Sequence, residues 1–548
     1  MSAKERTVAL ILLGGATLLR VPYILHYRVN SDEPQHLHVV WGWTAGLLQY
    51  RDLSDNHPPL FHLLMAPLLA LVGERPDAVI VMRGAMVPLA LAAIWLTYTI
   101  ASRLYGGRAA FWAAVLLALH YEFFFKSIEF RTDNLWTVGW LAALALAAGA
   151  PATGSRAFLA GAALGADACV SQKTALMVAA LASAGAVVAV VSPAARRAVG
   201  RTRTLRLAAA AALGFALLPI AIASYFASRG ALPALARSVL TQNLVPGLGT
   251  WGEAWRRALL PAGAALAIWI AVAALRSTGS DGRGIRRALV ALTGVAYVVI
   301  LEGAWPLVTG QDYLPVFPLA AVFAAAGLET WRRRTAGVRA PAAVLAVFLA
   351  AESAVIVFKG PIWRDRAAPQ TALVADVLRL TDRDEFVMDT KGETIFRKRP
   401  FFPVLETITI ERLRRGLIPD TVAGDVVRAG CLVAVPDSAR FPAVGRDFLN
   451  RNFVPAGSLR VAGQFLAVPR VPGGSVTFEV AVAGRFAVVA PSGPAAGSLD
   501  GTPYAGPRDL AAGPHAFAPQ AGSPLLAVVW ARAVERGYSP FAAGGGAS

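Results

Sequence analysis

Eleven apolar stretches, each close to the length a helix needs to cross a bilayer, constrain this chain more than any other feature. They lie near 8–26, 83–102, 108–125, 135–150, 157–171, 174–192, 206–227, 258–275, 286–303, 313–330 and 339–358. About 20 apolar residues in a helix span the hydrocarbon core of a membrane. Only helices and closed barrels satisfy their backbone groups there, and runs of this length exclude strands. The expected fold class is therefore mainly α, a polytopic membrane protein. Composition agrees: of 548 residues, 56% are hydrophobic and 16% charged, against about 25% charged in soluble domains. The first apolar run follows Lys4 and Arg6 and has no small-residue cleavage site, so a retained helix is expected rather than a removed signal peptide. Cys169 and Cys431 stand apart and suggest neither a disulfide scaffold nor a cysteine metal site.

The net charge of +18 does not require a nucleic-acid partner, because the basic residues gather in short loops between spans. With the N-terminus inside, Arg103 and Arg108, then Arg156, then Arg196, Arg197, Arg201 and Arg203, then Arg276, Arg283, Arg286 and Arg287, then Arg332, Arg333 and Arg334 all fall on the cytoplasmic side. This parity holds only if the run 60–72 does not cross, and about thirteen residues suit a re-entrant or interfacial helix. The segments 27–82, 126–134, 171–174 and 229–257 are then outside, the last with Gln242, Asn243, Trp251 and Trp255. Residues 35–50 carry Trp41, Trp43 and Tyr50 among apolar positions and read as a helix lying in the membrane interface.

After residue 359 the texture becomes charged and mixed. A helix is expected at 371–380 and strands at 386–389 and 431–435. Beyond Pro472, Val476, Phe478, Val480 and Val482 alternate on one side of a strand. The expected division is a transmembrane domain 1–359, an extracytoplasmic α/β domain 360–470 and a β-rich module 471–548. No internal repeat is evident, and the alanine-rich stretches read as helix filler.

Two adjacent acids, Asp32 and Glu33, follow the first span at the point where a water-facing cavity would begin. Carboxylates at a bilayer surface are costly unless solvated or functional. Next come Asn56-His57-Pro58-Pro59-Leu60, Gly73, Arg83 opening the second span, Tyr105-Gly106 at an inner turn, Glu129-Phe130-Arg131-Thr132-Asp133 at an outer tip, and Lys173 at the following outer turn.

This ordered series resembles the polytopic glycosyltransferases that use polyprenyl-phosphate sugars, the GT-C superfamily. It is most similar to the family 39-like branch of protein O-mannosyltransferases, the lipid A aminoarabinose transferase and the rhizobial lipopolysaccharide galacturonosyltransferases. The resemblance covers roughly 8–200, with a weaker echo to about 360. One departure is His57, where the family often has lysine before the prolines. The resemblance implies a GT-C fold, a polyprenyl-phosphate sugar donor, a lipid, glycan or protein acceptor, and hexosyl or pentosyl transfer without nucleic acid. The expected setting is a bacterial cytoplasmic membrane, with the active face and tail extracytoplasmic.

Such transfer needs a base for the acceptor and cations for the leaving phosphate. Asp32 is the candidate base, with a helix cap at Ser31-Asp32 as the alternative. Glu33 aligns acceptor or cation, or is a solvated loop acid. Asp133 completes the catalytic set, or forms a structural pair with Arg131. Lys173, Arg131, Arg83 and His57 are the candidate phosphate and substrate ligands. Against them stand headgroup snorkelling for Lys173, interface anchoring for Arg83 and turn closure for His57. His36, His38 and His62 have no compact metal spacing. Some members of the wider superfamily hold a divalent ion on outer-loop acids, a role open to Asp32, Glu33 and Asp133, but this branch implies transfer with no required cofactor. Asp52 and Asp55 read as solvated, while Glu302, Gln311, Asp312 and Tyr313 are candidates to line the cavity. The competing classes are a transporter or flippase of a lipid-linked sugar, which calls for midplane polar residues and paired broken helices, and a non-catalytic envelope-assembly protein.

Overall fold

Each of the eleven expected stretches is helical in the computed structural model, which describes residues 1–193, 195, 200–245, 248, 254–276, 282–335, 338–467, 474–520 and 525–542. Arg196, Arg197 and Trp251, named from the sequence, lie outside the described residues, as does the side chain of Trp255. The helices are Ala3–His26, Ala78–Arg83 with Met86–Tyr105, Gly107–Leu119 with Tyr121–Lys126, Thr132–Ala148, Gly154–Ala168, Thr174–Val191, Arg201–Ser228, Ala254–Arg276, Gly282–Ala304, Phe317–Arg334 and Ala340–Lys359. Among the described residues, six of these are long and apolar enough to cross a membrane. The run at 60–72 is a separate 13-residue helix, Leu60–Val72.

The chain divides into two units. The first holds Met1–Arg28, Asn56–Leu64 and Ile80–Asp365; the second holds Val29–Asp55, Met65–Val79 and Arg366–Ser548. The tail is therefore not a separate appendage, because the loop carrying Asp32 and Glu33 belongs to its unit.

In the first unit, apolar side chains such as Ile11, Leu18, Val190, Trp269 and Phe358 remain exposed. Such faces are costly in water and suit a lipid surround. The interior is fastened by polar groups. Tyr23 donates from its hydroxyl to the Ile356 carbonyl at 3.0 Å, tying the first helix to Ala340–Lys359. Buried Arg20 donates to Ser127 Oγ and to the carbonyls of Ala16 and Ala118. Gly106, at φ +93°, reverses the chain between Met86–Tyr105 and Gly107–Leu119, a conformation that costs a residue with a Cβ.

Treating the small residues as filler misses how Gly154–Ala168 and Arg201–Ser228 meet. A Cβ at Gly161 would overlap the Ala211 carbonyl, at Gly165 the Phe215 carbonyl, and at Gly214 the Phe158 carbonyl. Gly161 and Gly165 lie one turn apart and let two backbones touch, the small-xxx-small device of helix pairs in membranes. Gly165→Val is expected to cost about 1–3 kcal/mol, at the upper end because the obstacle is backbone. Thermal unfolding in detergent measures it, and an unchanged midpoint would remove the glycine seam from the account.

In the second unit the strands are β1 (Val387–Met388), β2 (Val433–Ala434), β3 (Phe453–Ala456), β4 (Leu459–Ala467), β5 (Val476–Val480), β6 (Gly484–Ala490), β7 (Gly493–Pro494), β8 (Gly497–Leu499), β9 (Thr502–Tyr504), β10 (Arg508–Leu510), β11 (Gly513–Pro519) and β12 (Leu525–Trp530). One sheet runs β1-β2-β4-β12-β6-β10, with β3 on β4 and β7 on β6; the other runs β5-β11-β8-β9. The boundary expected at 470/471 falls inside a sheet, since β4 pairs antiparallel with β12. A single apolar core continues across it, from Val377 and Val387 to Phe517 and Val528. The helix expected at 371–380 is Ala368–Leu380, and both expected strands are present as the short β1 and β2.

The expected interfacial helix needs a correction. The helix Asp32–Thr44 is buried at every position from Glu33 to Gly42, whereas an interfacial helix leaves one face to water. Two of its side chains are bonded within the unit. His38 donates from Nδ1 to the Ile395 carbonyl at 2.7 Å, and Trp41 donates to Glu74 at 3.3 Å. Asp55 is also buried rather than solvated, and accepts from Gln49 Nε2 at 2.7 Å.

Candidate functional sites in the two units

In the first unit, three segments far apart in sequence meet at one ionic cluster. The tip before Thr132–Ala148 is shaped by Asn134, whose amide donates to the carbonyls of Glu129 (2.8 Å) and Lys126 (3.1 Å). Arg131 is extended at the helix start, and Asp133 sits in the first turn, where the helix dipole favours a carboxylate. Arg131 Nε donates to Asp133 at 3.1 Å, and its guanidinium also reaches Glu129 at 3.6 Å. Glu129 pairs with Lys126 at 2.9 Å. Lys173 approaches Asp133 at 3.7 Å and bonds directly to Asp312.

Asp312 is held in turn by the amide and hydroxyl of Thr309, at 2.7 and 2.9 Å, and its carbonyl accepts from the Tyr297 hydroxyl at 2.9 Å. Two rings flank the ammonium of Lys173: Trp136 at 5.5 Å and Trp305 at 5.7 Å, within range of a cation–π attraction. Burial alone would raise the Asp133 carboxyl, but Lys173, Arg131 and His57 outweigh it and hold it below the ordinary carboxylate range. Burial opposes the charge on Lys173, and Asp312 and Asp133 override it and raise the lysine. Asp133 and Lys173 thus both favour their charged forms, and each faces a group of opposite sign.

The Asn56-His57-Pro58-Pro59 segment is pinned from both ends. Asn56 donates to Asn243 at 3.1 Å, and the Leu60 amide donates to the Cys169 carbonyl at 2.9 Å, just before the turn bearing Lys173. His57 is half-buried, and its charge is felt by Asp133. Arg83 is fully buried and donates to the carbonyls of Ile24, Tyr27 and Arg28 at 2.9–3.1 Å. It thereby satisfies carbonyls left open at the end of the first helix. Tyr313 donates to Glu302 beside Asp312.

In the second unit, Asp32 and Glu33 have separate partners. Glu33 is buried and accepts the Asn30 amide at 2.8 Å, so it is not a solvated acid. Asn30 Oδ1 accepts the Asp32 amide at 3.1 Å. Ser31, at the N-cap of the helix, makes no side-chain capping bond. Asp32 forms an ion pair with Lys391, and Arg440 donates to Ser31 Oγ at 3.3 Å. Neither cation was marked by the sequence. Lys391 lies in a charged loop, 359 residues from its partner, with no periodicity to flag it.

The surroundings of His38 set its charge. Burial, then the nearby Arg399, lowers it from its usual value to about 4. Its Nδ1 carries the proton given to Ile395, and the buried Nε2 has no hydrogen-bond partner. A histidine depressed in the folded state stabilises it fully above about pH 6.5, and that contribution is lost as pH falls toward 4. The second unit is expected to lose about 3 kcal/mol over that interval. His38→Gln should flatten the dependence in pH-resolved unfolding, and an identical slope would assign the loss elsewhere. Among the described residues no group of three His, Cys, Asp or Glu side chains is placed to hold a metal ion. His36 and His38 belong to one unit and His62 to the other.

Taken together, the helices and the buried ionic cluster define a multi-pass helical membrane protein with a C-terminal part rich in β-strands. Residues 56–222 match the family model described as dolichyl-phosphate-mannose-protein mannosyltransferase. The GT-C resemblance read from the sequence therefore stands over that stretch, which contains the Pro-Pro-Leu segment, Arg83, the 129–133 tip and Lys173. No curated protein sequence matches the chain. Solved structures similar to it include the oligosaccharyltransferase AglB from Archaeoglobus fulgidus, in complex with an inhibitory peptide and a dolichol-phosphate. That match has 12% identity and a TM-score of 0.47, over 85% of this chain and 74% of that one. The Archaeoglobus fulgidus oligosaccharyltransferase in complex with Zn and sulfate matches at 13% identity and TM-score 0.46, over 84% and 72%. ArnT from Cupriavidus metallidurans bound to undecaprenyl phosphate matches at 14% identity and TM-score 0.42, over 80% and 94%. Likeness at this level assigns no residue role.

Proposed function

We propose that this protein is an integral membrane glycosyltransferase of a bacterial cytoplasmic membrane. It moves a hexosyl or pentosyl group from a polyprenyl-phosphate donor to an acceptor on the outer face. The observation that carries the reading is the family match over 56–222, a stretch that contains the buried or partly buried cations Lys126, Arg131 and Lys173, which stand beside Asp133 at the start of a helix and Asp312 at a turn. Asp32 takes the proton of the acceptor hydroxyl or amine. The freed electron pair forms the new bond at the anomeric carbon, the bond from that carbon to the phosphate oxygen breaks, and polyprenyl phosphate leaves with its electrons. Attack opposite the leaving group inverts the anomeric centre.

Lys173 and Arg131 are the proposed partners of the donor phosphate, with His57 beside them. Cations fixed before the reaction stabilise the charge that develops on the leaving group. Arg83, with its guanidinium committed to three carbonyls, supports the first-unit bundle from which these groups project. Asp133 orients Lys173 and Arg131, and Glu33 shapes the turn that presents Asp32. No resident metal is proposed, because a divalent ion on Asp32 or Asp133 would displace ammonium and guanidinium partners already seated there.

The test is transfer by purified protein in lipid nanodiscs, given a panel of radiolabelled polyprenyl-phosphate hexoses and pentoses and an envelope fraction as acceptor, with and without EDTA. Label is expected in the acceptor, with stoichiometric release of polyprenyl phosphate and no loss with chelator. Absence of release from every donor would overturn the reading, and loss with EDTA would restore the metal.

A further inference from the structure

The tail unit holds the candidate base by direct contact. The loop 389–399 is fixed by its own acids. Asp389 accepts the amides of Gly392 (2.9 Å) and Thr394 (3.0 Å) and the Thr394 hydroxyl (2.7 Å). Glu393 accepts the amides of Thr390 (3.1 Å) and Lys391 (2.6 Å). Gly392 turns at φ +88° against His38, where a Cβ would press on the ring. Ile395 is held at φ +56°, a left-handed conformation that a β-branched residue rarely adopts, with its carbonyl on His38 Nδ1. Arg399 donates to the Thr390 and Pro403 carbonyls. The result is a rigid loop with one long cation at its tip: the Lys391 side chain is 8% exposed and ends on Asp32, which is 22% exposed. The acid thus keeps a solvent-reachable edge while its partner is enclosed.

We propose that Lys391 is the positioning residue of Asp32: its ammonium keeps the acid in the carboxylate form and fixes the direction of the carboxylate for the acceptor, so the tail unit is an obligatory part of the transferase. This rests on the reading of Asp32 as the base. A carboxylate beside an ammonium is favoured in its charged form, and a fixed direction shortens the search for a productive attack geometry. Arg440, on Ser31, reinforces the same end of the helix. The other charged and titratable groups on the packed elements are Glu33, His36 and His38 on the helix and Asp389, Glu393, Arg397, Lys398 and Arg399 on the loop. Among these, Asp389, Glu393 and His38 are engaged within the loop and its contact with the helix, and Lys391 bonds to Asp32.

The experiment compares wild type, Lys391→Met, Lys391→Arg and Asp32→Asn in the nanodisc transfer assay across pH. Thermal unfolding is measured on each. Lys391→Met is expected to lose roughly 10- to 100-fold in kcat with donor KM little changed, and to move the acid limb of its pH profile upward. Lys391→Arg should restore both in large part. Lys391→Met with wild-type kcat and an unmoved acid limb overturns the proposal. So does a kcat loss with an unmoved limb that Lys391→Arg fails to rescue, because that marks a merely structural role. If Lys391→Met does not fold, Lys391→Gln takes its place, read by its acid limb and by the carbodiimide reactivity of Asp32 against pH, and wild-type behaviour in both overturns the proposal. Failure of the underlying reading shows differently, as no transfer by wild type or full transfer by Asp32→Asn.

Discussion

Transfer by Asp32→Asn is expected to fall by roughly 10²- to 10⁴-fold, the range over which a positioned base contributes. Asparagine keeps the size of the side chain but takes no proton from the acceptor. It also strips Lys391 of its counter-charge in a nearly closed position, so some loss of stability should accompany the loss of rate. Two controls separate these effects. Asp32→Glu retains a carboxylate and should recover part of the rate, and donor binding by Asp32→Asn, read by retention of labelled donor in nanodiscs, should persist because the proposed phosphate ligands belong to the other unit. A variant that binds donor, unfolds somewhat below the wild-type temperature but is folded at the assay temperature, and no longer transfers is the expected outcome. Full turnover would move the base elsewhere. The first group to examine would then be Asp133, which is ionised and fixed by Arg131 and Lys173.

The helices were legible because each rests on a local cause. An apolar run of sufficient length has no alternative in a bilayer, and a 13-residue run such as Leu60–Val72 announces by length that it differs. The turn at Ser171 to Thr174 and the tip at 129–133 were readable from the charges between such runs. What could not be read were pairings decided by distance in the fold. Asp312 meets Lys173 across 139 residues and Lys391 meets Asp32 across 359, and neither sits in a periodic context. The sheet joining β4 to β12 crosses a glycine- and proline-rich stretch that, read locally, looks like a boundary. Asp32–Thr44 was misread for a related reason. Its tryptophans and histidines suit an interface, and only the packing of residues 389–399 and Glu74 shows that they satisfy groups inside a protein unit. Gly161, Gly165 and Gly214 carry their meaning only when the partner backbone is known.

Lys173→Met is expected to be the most damaging change in the first unit. The ammonium stands between two acids that are nearly inaccessible, Asp133 and Asp312, whose side chains are 6% and 1% exposed. Removing one member of a buried ionic group leaves the other charges uncompensated and typically costs about 3–5 kcal/mol. Here the remaining acids also face one another without a cation between them, while Arg131 continues to serve Asp133. Stability and function can be separated by a second substitution. Lys173→Met with Asp312→Asn removes one cation and one acid together, so the unfolding temperature should return most of the way to wild type. Transfer should not return, because the phosphate would still lack its closest ammonium. The double-mutant cycle gives the Lys173–Asp312 coupling directly. If the double variant regained both stability and transfer, Lys173 would be a structural cation beneath Trp136 and Trp305, and the donor phosphate would have to be assigned to Arg131 and His57.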